Sequence, residues 1–201
     1  VPGVLTCPLP LCIVYLPPTV VYGSANRVGA STPVDPKSER ARPRLATEKR
    51  VAAGPWSSLI LRPAAIYGPG RGVQASLPRG CYHSGDNYVS RIHVDDLAAH
   101  CEAALLSDVE GAFPVADEEP CTTREIAEFC ARLLHLPAVP PPAPGAKVRT
   151  TSNRRVDGSA IRRALVTSLA YPSYRPGIPS SLMTPGVEGG LPAEPTLSPC
   201  Q

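Results

Sequence analysis

No run of apolar residues in this 201-residue chain approaches the length of a membrane span. The greasiest stretch is Val4 to Val21, but Pro8, Pro10, Pro17 and Pro18 would break a helix there. It also lacks the basic start of a signal peptide. No CxxC pair occurs among the seven cysteines, which are Cys7, Cys12, Cys81, Cys101, Cys121, Cys130 and Cys200. Their odd number and irregular spacing speak for reduced thiols rather than a disulfide framework or metal site. No cluster of Lys and Arg rises above a solvated surface, and the net charge is only +3. Neither a nucleic-acid nor a membrane partner is implied. No internal repeat is present. The expected compartment is the cytoplasm. An organellar presequence stays open because the N-terminus looks incomplete: the chain starts at Val1 and its single Met is Met183.

What the chain has in excess is proline, 26 residues where average usage is about 5%. They gather at Pro2 to Pro18, at Pro137 to Pro144, and from Pro172 to the C-terminus. The middle cluster, "PAVPPPAPG", reads as a stiff linker. The region beyond Leu182 is rich in Gly and Pro and reads as a disordered tail over 183–201. Between these clusters, 43% hydrophobic and 18% charged residues suit a globular protein. The length suffices for one domain with a real core.

Leu11 to Leu16, "LCIVYL", is a short continuous apolar run with β-branched members. It reads as a strand buried on both faces, as in a parallel sheet. A helix over Ala41 to Ala53 follows, stopped by Gly54-Pro55, and "SLILR" at Ser58 to Arg62 is a second buried strand. Strand, helix, strand is the βαβ order of an α/β fold. Val73 to Asn87 reads as irregular, and "YVSRIHV" as extended. Asp95 or Asp96 caps a helix through Leu106 whose stripe is Leu97, Ala98, Cys101, Ala104 and Leu105. "GAFPVAD" reads as a strand. Thr122 or Thr123 caps the next helix, with Glu125 as its box partner. "NRRVDGSAIRRAL" carries a short helix capped at Asp157 or Ser159.

Four stretches in this order resemble one family. They are "TVVYG" (Thr19–Gly23), "LILRPAAIYGPGRG" (Leu59–Gly72), "RIHVDDLAAHCEAAL" (Arg91–Leu105) and "NRRVDGSAIRRAL…YPSYRPGIPS" (Asn153–Ser180). The chain is similar to the NAD-dependent epimerase/dehydratase family, the extended short-chain dehydrogenases/reductases, and most of all to their atypical branch. The resemblance implies an α/β fold with a partial Rossmann-type parallel sheet, its first half missing, and a small C-terminal substrate lobe. It implies a C-terminal half of the NAD(P)-binding domain over 1–72, then a substrate lobe with returning sheet elements over 73–182. It implies NAD or NADP as cofactor, a small-molecule substrate of the sugar or sugar-nucleotide type, and a homodimer as one assembly.

The family's glycine-rich phosphate turn, close to GxxGxxG, is not in this sequence. "GSANRVG" at Gly23 to Gly29 follows the wrong strand and precedes a loop. The strand ending at Arg62 would bring the chain to the carboxyl rim of the sheet, where open α/β folds bind ligands. By the resemblance, Pro63, Ala64 and Ala65 would lie along the nicotinamide end of the cofactor. Small side chains leave room there, and Pro63 fixes the backbone in advance.

The family's catalytic helix carries Tyr-xxx-Lys, where the Lys charge lowers a phenol pKa from about 10. Matching that helix to "RPRLATEKRVAA" puts Arg44 at the Tyr position and Glu48 at the Lys position. Arg stays protonated and is no base. The pair is alternatively an i, i+4 surface ion pair worth about 0.2–0.5 kcal/mol. Thr19 stands near the place of the family's hydroxyl donor, though a shift of one residue turns a strand side chain to the other face. Tyr22 reads as a packing residue. Arg71 and Arg91 are candidates for a substrate phosphate, with solvated surface arginines as the alternative. His93 reads as an anchor between strand and helix, and its neighbours Asp95 and Asp96 lack metal-ligand spacing. The family the chain resembles is one of oxidoreductases and epimerases, but Arg44-xxx-Glu48 stands in place of its Tyr-xxx-Lys, which leaves open whether the chain is an enzyme. The alternatives are a non-catalytic NAD(P)-binding scaffold or an inactive fragment.

Overall fold

The computed structural model describes residues 11–80, 82, 84–139 and 153–183. The expected proline linker lies outside the described residues from Pro140 onward, as do Cys7, Cys81, Cys200 and the tail from 184 onward. Among the described residues, Cys12, Cys101, Cys121 and Cys130 are free thiols.

In the first half the elements are β1 (Cys12–Tyr15), β2 (Arg27–Val28), α1 (Ala41–Ala52), β3 (Ser57–Pro63), β4 (Ala65–Tyr67) and α2 (Val73–Ser76). Then come β5 (Tyr88–Val89), β6 (Arg91–His93), α3 (Val94–Leu105), β7 (Gly111–Val115), β8 (Cys121–Thr122) and α4 (Thr123–Leu133). The chain closes with β9 (Arg155–Val156), α5 (Ser159–Leu165) and α6 (Tyr174–Met183).

The main sheet is parallel throughout, in the order β1-β3-β7. Its central strand explains the apolar run in the sequence. Leu59 and Leu61 are fully buried on one face beneath Leu97 of α3 and Ile161 of α5. Ile60 turns to the other face, where α1 packs. With helices on both faces, alternation disappears from the pattern. Each such Leu contributes about 1.5–3 kcal/mol by leaving water. β7 comes from the stretch expected to return to the sheet. β1 lies at the sheet edge with all four residues only half-buried.

Smaller pairs extend this frame. β4 runs parallel to β6, β2 runs parallel to β9, and β5 runs antiparallel to β8. A separate cluster joins α2, α4 and α6 through Val73, Leu77, Ile126, Cys130, Tyr174 and Ile178. Tyr174 packs edge-on against Phe129, with ring centroids 5.3 Å apart.

Three local expectations need correction. α3 is capped by His93, whose ring accepts from the Asp95 amide, rather than by Asp95 or Asp96. Its buried face runs through Asp96, Leu97, His100 and Ala104, while Ala98 and Leu105 are exposed. The face is rotated because Asp96 accepts from the amides of Ala170 and Tyr171 at 2.7 and 3.1 Å. His100 also bonds across, to the Thr167 hydroxyl at 3.3 Å. The cap position of α5 is Gly158, with the Asp157 carboxylate accepting from the Ser159 amide at 2.8 Å. The capping box of Thr122 and Glu125 is present as expected. No helix among the described residues is long and apolar enough to cross a membrane.

Candidate functional site

β1 and β3 run parallel, so both reach the same rim of the sheet. Beyond β1 the chain turns through a 3-10 segment, Thr19–Tyr22, and beyond β3 it passes through Ala64 into β4. The amide of Ala64 donates to the Val115 carbonyl at 2.8 Å, and that of Ala65 to the Ser90 carbonyl at 3.1 Å. These bonds suspend Pro63 to Ala65 between β7 and β6. The result is a groove of about 260 Å³ lined by Thr19, Pro63, Ala64, Ala65, Ser90 and Arg154, among others. Thr19, expected as a hydroxyl donor and cofactor contact, therefore shares one groove with Pro63, Ala64 and Ala65, the three residues expected along the nicotinamide.

Sequence reasoning did not single out Arg154 or Ser90. Arg154 donates to the carbonyls of Ala25 at 3.0 Å and Thr19 at 2.5 Å, and to that of Gly23. Burial works against its charge, and these three oxygens hold the guanidinium in place. Arg154 therefore staples the turn after β1 to the start of β9. The Ser90 hydroxyl accepts from the Val156 amide at 2.7 Å. No pattern near either residue signals these long-range bonds.

Glu48 lies elsewhere. It is buried, and its carboxylate takes two hydrogen bonds from Arg62, at 3.1 and 2.6 Å. Arg62 also donates to the Tyr22 hydroxyl at 3.0 Å and lies over the Tyr22 ring at 5.0 Å. Burial opposes the charge on Arg62, but bonds to Glu48 and Tyr22 outweigh it and hold the group protonated. Burial likewise raises the Tyr22 phenol, with Arg62 pulling the other way. Tyr22 packs, as expected, and also accepts this bond. Arg44 is half-buried and donates to the Arg40 carbonyl at 2.6 Å. The ion pair between Arg44 and Glu48 does not form, because α1 turns Glu48 inward onto β3.

The two candidate phosphate ligands sit in different settings. Arg71 is exposed on a tight turn whose backbone bonds to Gly68. Arg91 is buried and donates to the Val89 carbonyl and the Cys121 thiol, at 2.9 and 3.1 Å. It is no solvated surface arginine. Near it lies Asp117, almost fully buried, with neither carboxylate oxygen in good hydrogen-bond geometry. Burial pushes the Asp117 carboxyl up to about 8, although Arg91 favours its charged form.

Asp95, His93 and Ser181 deserve a geometric test as a nucleophilic triad. The His93 Nε2 lies 3.0 Å from the Ser181 hydroxyl, and Nδ1 lies 3.5 Å from the Asp95 carboxylate. But Nδ1 accepts from the Asp95 amide, so the ring proton sits on Nε2 and points at Ser181. The Ser181 hydroxyl in turn donates to the Gly177 carbonyl at 2.7 Å. The proton positions are the reverse of an activated serine, whose base must accept at that nitrogen. His93 joins β6, α3 and α6, in line with the anchoring role expected for it. The Tyr171 ring covers it at 4.0 Å. No cluster able to hold a metal ion occurs among the described residues.

No family model matches the chain. It is 29% identical over 156 residues to a 3-diazoavenalumate denitrifying reductase from a Streptomyces species, covering 65% of this chain and 49% of the relative. A conserved protein of unknown function from Silicibacter pomeroyi DSS superposes with a TM-score of 0.76 at 31% identity, over 85% of this chain and 66% of that one. The Bordetella bronchiseptica enzyme WbmG, in complex with NAD and UDP, gives 0.71 at 18% identity, over 85% and 57%. Solved epimerases and dehydratases with bound NAD share the same fold. The chain spans about half the length of the curated relative and no more than about two thirds of these solved proteins.

Proposed function

We propose that this chain, built on the fold of the NAD-dependent epimerase/dehydratase family, supplies the nicotinamide-facing part of an NAD(P) site. The groove at the sheet rim is the observation that carries this reading. It brings Thr19, Pro63, Ala64 and Ala65 together at the strand ends. At about 260 Å³ it falls below the roughly 300–1,000 Å³ of a complete small-molecule pocket, so it suits one end of a dinucleotide. The residues fit a flat, uncharged ring: the small side chains of Ala64 and Ala65 leave its face open, and the Thr19 and Ser90 hydroxyls stand nearby. The bound cofactor would supply or accept a hydride. The phosphates would need the glycine-rich turn, which this sequence does not contain.

The geometry favours binding without the family's Tyr–Lys proton chemistry. Glu48, Arg62 and Tyr22 satisfy one another in the interior, and Arg44 is held apart from them on the Arg40 carbonyl. Among the described residues lining the groove, Arg154 alone is ionisable, and three carbonyls occupy it. A second reading, hydride transfer to an organic substrate, rests on the likeness to a denitrifying reductase. Arg71 and Arg91 remain the candidates for a substrate phosphate in that reading, Arg71 by its exposure.

Titration of NADH and NADPH against the chain, read by cofactor fluorescence, tests the binding claim. Saturable enhancement is expected, weakened by the missing phosphate turn. Its absence up to millimolar cofactor, with the chain folded, overturns the proposal.

A further inference from the structure

β2 and β9 place Arg27 directly opposite Arg155. Like charges facing each other on neighbouring strands destabilise the pair. Among the described residues neither guanidinium has a carboxylate partner within ion-pair distance. Arg155 instead lays its guanidinium over the Tyr88 ring, 3.5 Å from the centroid. Stacking uses the flat face and leaves the in-plane N–H fork free for an oxyanion.

Both arginines open onto a cavity of about 540 Å³, within the range of small-molecule sites. It touches the groove described above through Val156 but is lined by different polar groups. Arg162 adds a third guanidinium, held by the Ala116 carbonyl at 2.8 Å and the Glu118 carboxylate at 3.3 Å. Glu118 and Asp157 are the charged acids on the wall, and Asp157 is committed to the first turn of α5. Asp117, also on the wall, is largely neutral near pH 7 because burial pushes it up to about 8. Three positive groups therefore meet two negative ones. Val28 and Val156 supply an apolar floor.

We propose that this cavity is a site for a small oxyanion-bearing molecule, whose phosphate or carboxylate sits between Arg27 and Arg155. The anion would cancel the cross-strand repulsion that β2 and β9 otherwise bear. The apolar floor would take the uncharged part of the ligand.

Isothermal titration of the full chain with inorganic phosphate, and separately with malonate, tests this at constant ionic strength. Saturable one-site binding of at least one anion is expected, and which one binds tells a phosphate from a carboxylate ligand. Arg27→Gln and Arg155→Gln should each weaken binding about tenfold or more, as loss of a charged hydrogen bond does. Arg155→Lys should weaken it too, since it keeps the charge but loses the fork. Arg132→Gln, in the last turn of α4 and outside the cavity wall, should not change it. Arg27 is exposed and repelled, so Arg27→Gln should melt no lower than the parent. No saturable binding of either anion overturns the proposal. So does binding that Arg27→Gln and Arg155→Gln leave unchanged.

Discussion

Arg62 and Glu48 meet in the interior through two hydrogen bonds, at 3.1 and 2.6 Å, between the end of β3 and α1. The residue after Arg62 is Pro63, where the groove begins. The pair thus locks the helix to the strand at the point where β3 hands over to the site. Removing one partner should leave a buried, uncompensated charge. Glu48→Ala should cost about 3–5 kcal/mol of stability in denaturant unfolding. Glu48→Met combined with Arg62→Met should cost clearly less than either single change. A loss below about 1 kcal/mol for Glu48→Ala would show that the pair does not hold the fold together.

Ala65 is exposed at the groove mouth. Ala65→Leu should fill the groove while leaving the melting temperature nearly unchanged. Cofactor fluorescence on NADH addition should then fall about tenfold or more in apparent affinity. Unaltered NADH binding would place the cofactor somewhere else.

The pH dependence of stability follows from Asp117. Its carboxyl has an ordinary value of 3.8, raised to about 8 in the fold by burial. Between these limits the folded chain holds a proton that the unfolded chain releases. Stability should therefore decline as pH rises from about 4 to about 8. Asp117→Asn should flatten that limb and exceed the parent in stability at pH 9. His93 and His100 act on the acid side. Burial keeps both below their ordinary value, so stability is lost as pH falls below about 6.5, and Asp117→Asn should leave that limb intact. Identical pH–stability curves for parent and Asp117→Asn would contradict the burial of this carboxyl.

Gly158 leads into α5 beside the end of β7. A Cβ there would lie 2.7 Å from both the nitrogen and the oxygen of Ala116, and backbone atoms cannot swing aside. Gly158→Ala should cost about 1–3 kcal/mol, read by thermal unfolding, as overpacking does. A melting temperature within a degree of the parent would mean that α5 shifts freely.

Short-range chemistry was legible before any coordinates. The run Leu59 to Leu61 marks a strand covered on both faces, because its apolar character does not alternate. Thr122 and Glu125 mark a helix start, because a capping box is complete within four residues. The same local logic misassigned Glu48. An i, i+4 spacing offers Arg44 as a partner, but burial of α1 against β3 turns the carboxylate to a residue 14 positions away. It also misplaced the buried stripe of α3. Asp96 and His100 look like solvent-facing residues until the loop from Thr167 to Tyr171 supplies their partners.

The sequence by itself determined the βαβ order, the small and stiff residues Pro63 to Ala65 at the end of β3, and the likeness of four ordered stretches to a nucleotide-cofactor fold. Those features depend on neighbours along the chain, whose distances are set by covalent geometry. Only the tertiary structure decided that Glu48 pairs with Arg62, that Arg154 closes the groove, and that Arg27 faces Arg155. Each joins elements at least 14 residues apart in sequence. Which of many polar side chains meet at such a separation is set by how helices and strands pack, and no local pattern records it.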